Sequence, residues 1–171
     1  MQPDTSGIAI RLAAPPDAAL IAAVLHAAFV AYKAAYTPAA FAATTPTSEQ
    51  IQRRLDEGPV WVALHDRAIV GTVSAVRRGA GLYIRSMAVL PQARGRGIGG
   101  LLLRHAEQFA AAQGCTYALL STTPFLTSAI RLYEAFGFQR SDKPQDLFGT
   151  ALFTMVKLLP AYGDIAILSD L

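Results

Sequence analysis

The chain has 171 residues, 53% of them hydrophobic and 16% charged, with 15 Lys and Arg against 12 Asp and Glu for a formal charge of +3. That composition excludes intrinsic disorder, which requires low hydropathy with high net charge, and the length suits one domain with one sizeable core. No long Lys/Arg run favours a nucleic acid, and the single cysteine, Cys115, excludes an internal disulfide framework and a cysteine-built zinc cage.

In chain order, Ile8-Ala9-Ile10-Arg11-Leu12 reads as a strand. Pro15-Pro16-Asp17 then reads as a turn and helix start, because Pro tolerates the first helical positions and Asp suits the positive helix end. The following stretch, residues 18–31, is the most apolar of the chain and carries His26. It falls short of the ~20 apolar residues that span a bilayer, lacks a preceding basic cluster, and therefore reads as a buried helix. The location expected from this is cytoplasmic, with no membrane partner. Thr37-Pro38 and Thr44-Thr45-Pro46 are expected to break the helical run. Thr47 with Gln50 resembles a capping box that opens a short helix over 48–57, and Gly58-Pro59 ends it. Residues 60–64 and 69–76 form two strands around the polar turn His65-Asp66-Arg67, an antiparallel hairpin. Gly79-Ala80-Gly81 punctuates, and residues 82–90 add a third strand.

After Pro91 the period changes. Ile98, Leu101, Leu102, His105, Phe109 and Ala112 mark one face of a helix that ends at Gly114. Residues 116–120 are a short apolar strand. Ala129, Ile130, Tyr133 and Phe136 mark another helix closed by Gly137; Phe138 begins a brief strand, and residues 151–158 are the last one. A helix between the strands near residues 90 and 116 requires a crossover, so those strands should run parallel. The expected fold is α/β: a mixed sheet of six to seven strands flanked by about four helices, in one domain over residues 1–159. Trp61 is expected as a core anchor, His65 as a turn residue, His105 as half-buried and Cys115 as a small buried hydrophobe. The three histidines have no metal-ligand spacing. Residues 160–171 extend beyond the last strand, and Ile165, Ile167 and Leu168 are expected to dock on the domain or on a second copy of the chain, as a homodimer.

The most informative segment is Gln92-Ala93-Arg94-Gly95-Arg96-Gly97-Ile98-Gly99-Gly100, between a strand and a helix. Gly95 and Gly97 let backbone N–H groups approach an anion, the helix start leaves its first amides unpaired, and Arg94 and Arg96 add two permanent charges. A Walker A loop needs Lys-Ser/Thr after its last glycine, whereas Leu101 follows Gly100. A dinucleotide fingerprint needs G-x-G-x-x-G with an acidic residue about twenty positions on, and neither is present.

Gln92-x-x-Gly95-x-Gly97 resembles the Q/R-x-x-G-x-G/A signature of the GNAT superfamily of acyl-CoA-dependent N-acyltransferases. Met87-Ala88-Val89-Leu90-Pro91 is similar to that family's splayed strand and entry turn, and Ala129-x-x-Leu132-Tyr133-Glu134-x-x-Gly137-Phe138 to its A-x-x-L-Y-x-x-x-G-F helix. The resemblance implies coenzyme A binding, with acetyl-CoA as cosubstrate and no metal. Backbone amides from Arg94 through Gly95, Arg96, Gly97 and Ile98 to Gly99 or Gly100 would hold the pyrophosphate. Met87 and Val89, on either side of Ala88, would pair with the pantetheine arm where the parallel strands separate. Many relatives carry Asn seven residues before the tyrosine; Leu126 stands here, leaving Thr127 or Ser128 as the polar contact.

Acyl transfer to an amine needs a neutral amine, stabilisation of a tetrahedral oxyanion and a proton for the departing thiolate. By family position Tyr133 is the acid. Free phenol and thiol pKa values of ~10 and ~8.5 make that transfer uphill by about 2 kcal/mol, so a hydrogen bond to the sulfur is the lighter demand. No base is identifiable: residues 82–90 hold no carboxylate. A lysine-like amine faces a deprotonation deficit of about 4.6 kcal/mol at pH 7 and an α-amino group roughly 1, which favours low-pKa acceptors or a base that acts from elsewhere through water. His26, Tyr32, Tyr36 and Glu57 fall in the N-terminal helices that line the acceptor side in relatives, where packing or a solvated surface is the competing role. The implied function is an N-acetyltransferase acting on a small-molecule or peptide amine; a noncatalytic acyl-CoA sensor would use the same cradle.

Overall fold

A single mixed sheet organises the chain, and the computed structural model describes residues 5–160 of it. In chain order the elements are β1 (Ile8–Leu12), α1 (Ala18–Phe29), α2 (Pro38–Thr44), α3 (Ser48–Glu57), β2 (Val60–His65), β3 (Ala68–Arg78), β4 (Gly81–Val89), α4 (Ile98–Ala112), β5 (Tyr117–Thr122), α5 (Thr127–Ala135), β6 (Gln139–Leu147) and β7 (Thr150–Leu158). The seven strands lie in the order β1-β2-β3-β4-β5-β7-β6. The β4–β5 pair is parallel and its neighbours are antiparallel, as the crossover through α4 demands.

Alternation along β2 sets the layers. Val60 and Val62 enter a cluster with Ile21, Leu25 and Ile51 of α1 and α3, while Trp61 and Ala63 enter another with Leu102, Leu103 and Ala106 of α4. Trp61 is 3% exposed and meets His105 and Phe109 edge-on, the core anchor expected. Cys115 is buried. A third, aromatic cluster joins Tyr36, Phe41, Tyr32 and Phe125 beside Leu147.

Two features differ from expectation. The helical run ends at Ala35, as expected, but Pro38 also starts a further helix, α2: Thr37 caps it, its hydroxyl accepting from the Ala40 amide, and proline costs nothing at a position whose N–H has no intrahelical partner. The described residues thus hold five α-helices rather than four. Residues 15–35 also form one continuous helical stretch of 21 residues, longer than the apolar run alone and long and apolar enough to cross a membrane by length and composition. Here its Ala18, Ile21, Val24, Leu25 and Ala28 pack into the core. The expectation for Ile165, Ile167 and Leu168 lies outside the described residues.

Thr37 also donates to the Phe148 carbonyl in the β6–β7 turn, and its amide donates to the Thr150 hydroxyl. Thr37→Ala is expected to lower stability by about 1–2 kcal/mol through loss of the cap and this tie. Thermal unfolding should show a Tm lower by several degrees.

Candidate functional site

Strands β4 and β5 pair only from Gly81–Ile84 against Tyr117–Leu120. Beyond Ile84 they separate, because β4 carries one extra residue opposite β3, between Thr72 and Ser74. Ser86 sits in this bulge with φ 51°, a left-handed conformation that a non-glycine residue in a strand adopts only under constraint. The gap opens into a cleft of about 750 Å³, walled by Met87, Ala88 and Val89 on one side and Leu120, Ser121, Thr122 and Thr123 on the other. The Thr122 hydroxyl is buried there without a hydrogen-bond partner among the described residues.

At the end of β4 the chain turns through Pro91–Ala93 and reaches α4 by way of Gly95 and Gly97, both in the left-handed region (φ 79° and 74°). Gly97 is the N-terminal cap position, so the first-turn amides of α4 have no intrahelical acceptor. Gly95, Gly97, Ile98, Gly99 and Gly100 line the cleft, giving an anion site from backbone dipoles alone. Gly99 has a second reason to be glycine: a Cβ would come within 3.1 Å of Leu132 on α5.

The arginines of this turn do different work from that expected. Arg94 lines the cleft, but its guanidinium donates to the carbonyls of Val89 and Ala28, tying the turn to the C-terminal end of α1. Arg96 is turned away from the cleft and lies against the ring nitrogens of His65, at 3.0 and 3.3 Å. His65, expected only as a turn residue, ends β2 as that partner. Gln92 is an exposed residue of the Pro91–Ala93 turn and does not line the cleft.

Tyr133 reaches the cleft from α5, 7% exposed, with its ring centroid 6.1 Å from that of Phe138. Burial, and secondarily the neighbouring Tyr36, push its pKa well above the ordinary phenol value, so it stays protonated. Ser128 and Leu126 line the cleft near the start of α5, and Thr127 does not. Tyr32 and Tyr36 line it as well, whereas His26 and Glu57 do not. Burial also raises the Tyr36 pKa.

Sequence reasoning missed Arg54, Arg78, Tyr83 and Arg85, all of which line the cleft. Arg54 of α3 donates to the Ser86 hydroxyl, and Arg85 pairs with Glu57. Neither contact has a local signal, since the partners stand 32 and 28 residues apart.

The model of the acetyltransferase (GNAT) family matches residues 21–138. Mouse "Probable N-acetyltransferase family 8 member 5" is 38% identical over 98 residues, 53% of this chain and 42% of that protein. Zebrafish N-acetylaspartate synthetase is 34% identical over 88 residues, 50% of this chain and 31% of that protein. The chain therefore spans less than half the length of either relative. Among solved structures, the PaiA N-acetyltransferase of Thermoplasma acidophilum in complex with coenzyme A superposes with a TM-score of 0.74 at 18% identity, covering 89% of this chain and 99% of that one.

Proposed function

The chain belongs to the GNAT acetyltransferase family, and from that premise we propose that it transfers an acetyl group from acetyl-CoA to an amine, with Tyr133 as the proton donor. The observation that carries this reading is the cleft itself, where the splayed β4 edge, the free amides of α4 and the neutral Tyr133 phenol meet. Coenzyme A named in the complex of a structural neighbour supports the ligand. The residues present fit it: an anion cradle at Gly95–Gly100, an open strand edge at Met87 and Val89 for the amides of the pantetheine arm, and a buried unpaired hydroxyl at Thr122.

Acetyl-CoA supplies the activated thioester. The amine nitrogen forms the new C–N bond as the C–S bond breaks, the nitrogen gives up one proton, and the sulfur receives one. Tyr133 holds a proton at its Oη. Because burial raises its pKa further above that of a thiol, complete transfer is more uphill than for free phenol, and its first contribution is a hydrogen bond to the charge growing on sulfur. The apolar wall of Ile98, Leu120 and Leu132 keeps water from that charge and strengthens the bond.

Among the described residues no Asp, Glu or His lines the cleft. The acceptor must then enter as the neutral amine or lose its proton to water. We expect kcat/KM to rise about tenfold per pH unit until the pH reaches the acceptor's own pKa. Profiles for two amines of different pKa check this: each should break at its own value, and a shared break at one pH would reveal a base on the protein. A thiol-release assay with acetyl-CoA and an amine panel tests the activity; coenzyme A binding without turnover would instead support the sensor.

A further inference from the structure

The end of the cleft away from the glycine turn is cationic, and its charges are not balanced from within the cleft. Arg54 reaches it half-buried, and its hydrogen bond goes to the neutral hydroxyl of Ser86. Burial, followed by repulsion from Arg85, lowers its pKa, only partly offset by Glu57 and Tyr83. Arg85 occupies Glu57, yet its Nε is buried without a partner among the described residues. Arg78 stacks on the Tyr83 ring, 4.0 Å from the centroid. Three guanidinium groups thus line this end of the cleft, two of them near the Glu57 carboxylate, and that carboxylate is outside the lining. A desolvated cation held only by a hydroxyl is costly, and an incoming anion relieves the cost.

The phosphates of acetyl-CoA are not that anion in the proposed mode. Arg85 and Ser86 precede Val89 by four and three residues on β4, so at ~3.3 Å per residue they lie about 10 Å or more upstream of the turn that leads to the α4 amides. We propose that the acceptor is an amine that carries a carboxylate, bound by the Arg54 guanidinium with Arg85 beside it. The inference rests on the acetyl-transfer reading and names the acceptor class for it. Arg54 offers a planar fork that a carboxylate matches with two hydrogen bonds, and Ser86, held by the bulge, orients it. Cationic acceptors such as polyamines and lysine-rich tails find no carboxylate in this lining to receive their second charge.

The test uses acceptor pairs that differ only in the carboxylate: phenylalanine against 2-phenylethylamine, and leucine against 3-methylbutylamine. Their apolar side chains suit the wall of Phe29, Tyr32 and Tyr36. At equal concentrations of neutral amine, kcat/KM is expected to be at least tenfold higher for the amino acid of each pair. Arg54→Gln should bring that ratio to within threefold of unity, and Arg54→Lys, which keeps the charge and loses the fork, should give an intermediate ratio. Coenzyme A binding by calorimetry reports that each variant is folded. Turnover with a ratio near one, or with preference for the decarboxylated amine, overturns the carboxylate site and leaves acetyl transfer standing. If no amine is turned over, acetyl transfer fails and calorimetry of phenylalanine on the coenzyme A-loaded protein decides. Binding lost in Arg54→Gln keeps the carboxylate site, and no binding overturns it.

Discussion

Replacing Tyr133 by Phe is expected to lower kcat by ten- to a hundredfold while leaving the KM for acetyl-CoA within about twofold of its original value. The ring is part of the core, packed among Leu120, Phe138 and Phe153 as well as facing the cleft, and Phe preserves that packing. The substitution therefore removes one O–H donor and little else. Its effect falls on the step in which charge appears on sulfur, because that bond is stronger in the transition state than in the ground state. Steady-state and single-turnover rates should fall together. An unchanged single-turnover rate would remove Tyr133 from the chemistry and leave it as a packing residue.

Gly97→Val is expected to raise the KM for acetyl-CoA at least thirtyfold, with a smaller effect on kcat at saturation. Gly97 has φ 74° at the cap of α4, where a β-branched residue is strongly disfavoured. The turn must rotate to accommodate it, and the amides of Ile98 and Gly99 rotate with it. Several charge-assisted hydrogen bonds are lost together when their donors lose alignment. Gly79→Val is the control for backbone strain: Gly79 has φ 58° in the β3–β4 turn, meets nothing within 4 Å of an added Cβ, and does not line the cleft. It should lower stability without changing the KM for acetyl-CoA. Equal changes in KM for both variants would show that general destabilisation, not the cradle, governs binding.

Much of this arrangement is legible from local pattern. The hairpin around His65-Asp66-Arg67 closes through two left-handed residues, Asp66 and Arg67, and the period-3.6 face from Ile98 to Ala112 makes α4. The crossover argument yields the parallel β4–β5 pair, and with it the strands whose separation opens the cleft. Where reading failed, the same residue types carry two meanings. Thr37-Pro38 reads as a stop, and it also starts a helix, because the Thr37 hydroxyl accepts from the Ala40 amide and proline suits the first helical position. Arg96 among glycines reads as a phosphate ligand until β2 brings His65, 31 residues distant in sequence, against it.

Side-chain period, capping and glycine placement act over a few residues, so local pattern was enough for the strands, for four of the five described α-helices and for the glycine turn, while Tyr133 as candidate proton donor came from the family resemblance. Which charges face the cleft depends on contacts between segments distant in the chain. Arg54 of α3 reaches Ser86 in the β4 bulge and Arg85 pairs with Glu57, which brings both into the cleft lining, while Arg96 lies outside it against His65. Burial and ion pairing are properties of neighbours in space, and the neighbours that matter here stand about thirty residues apart in the chain.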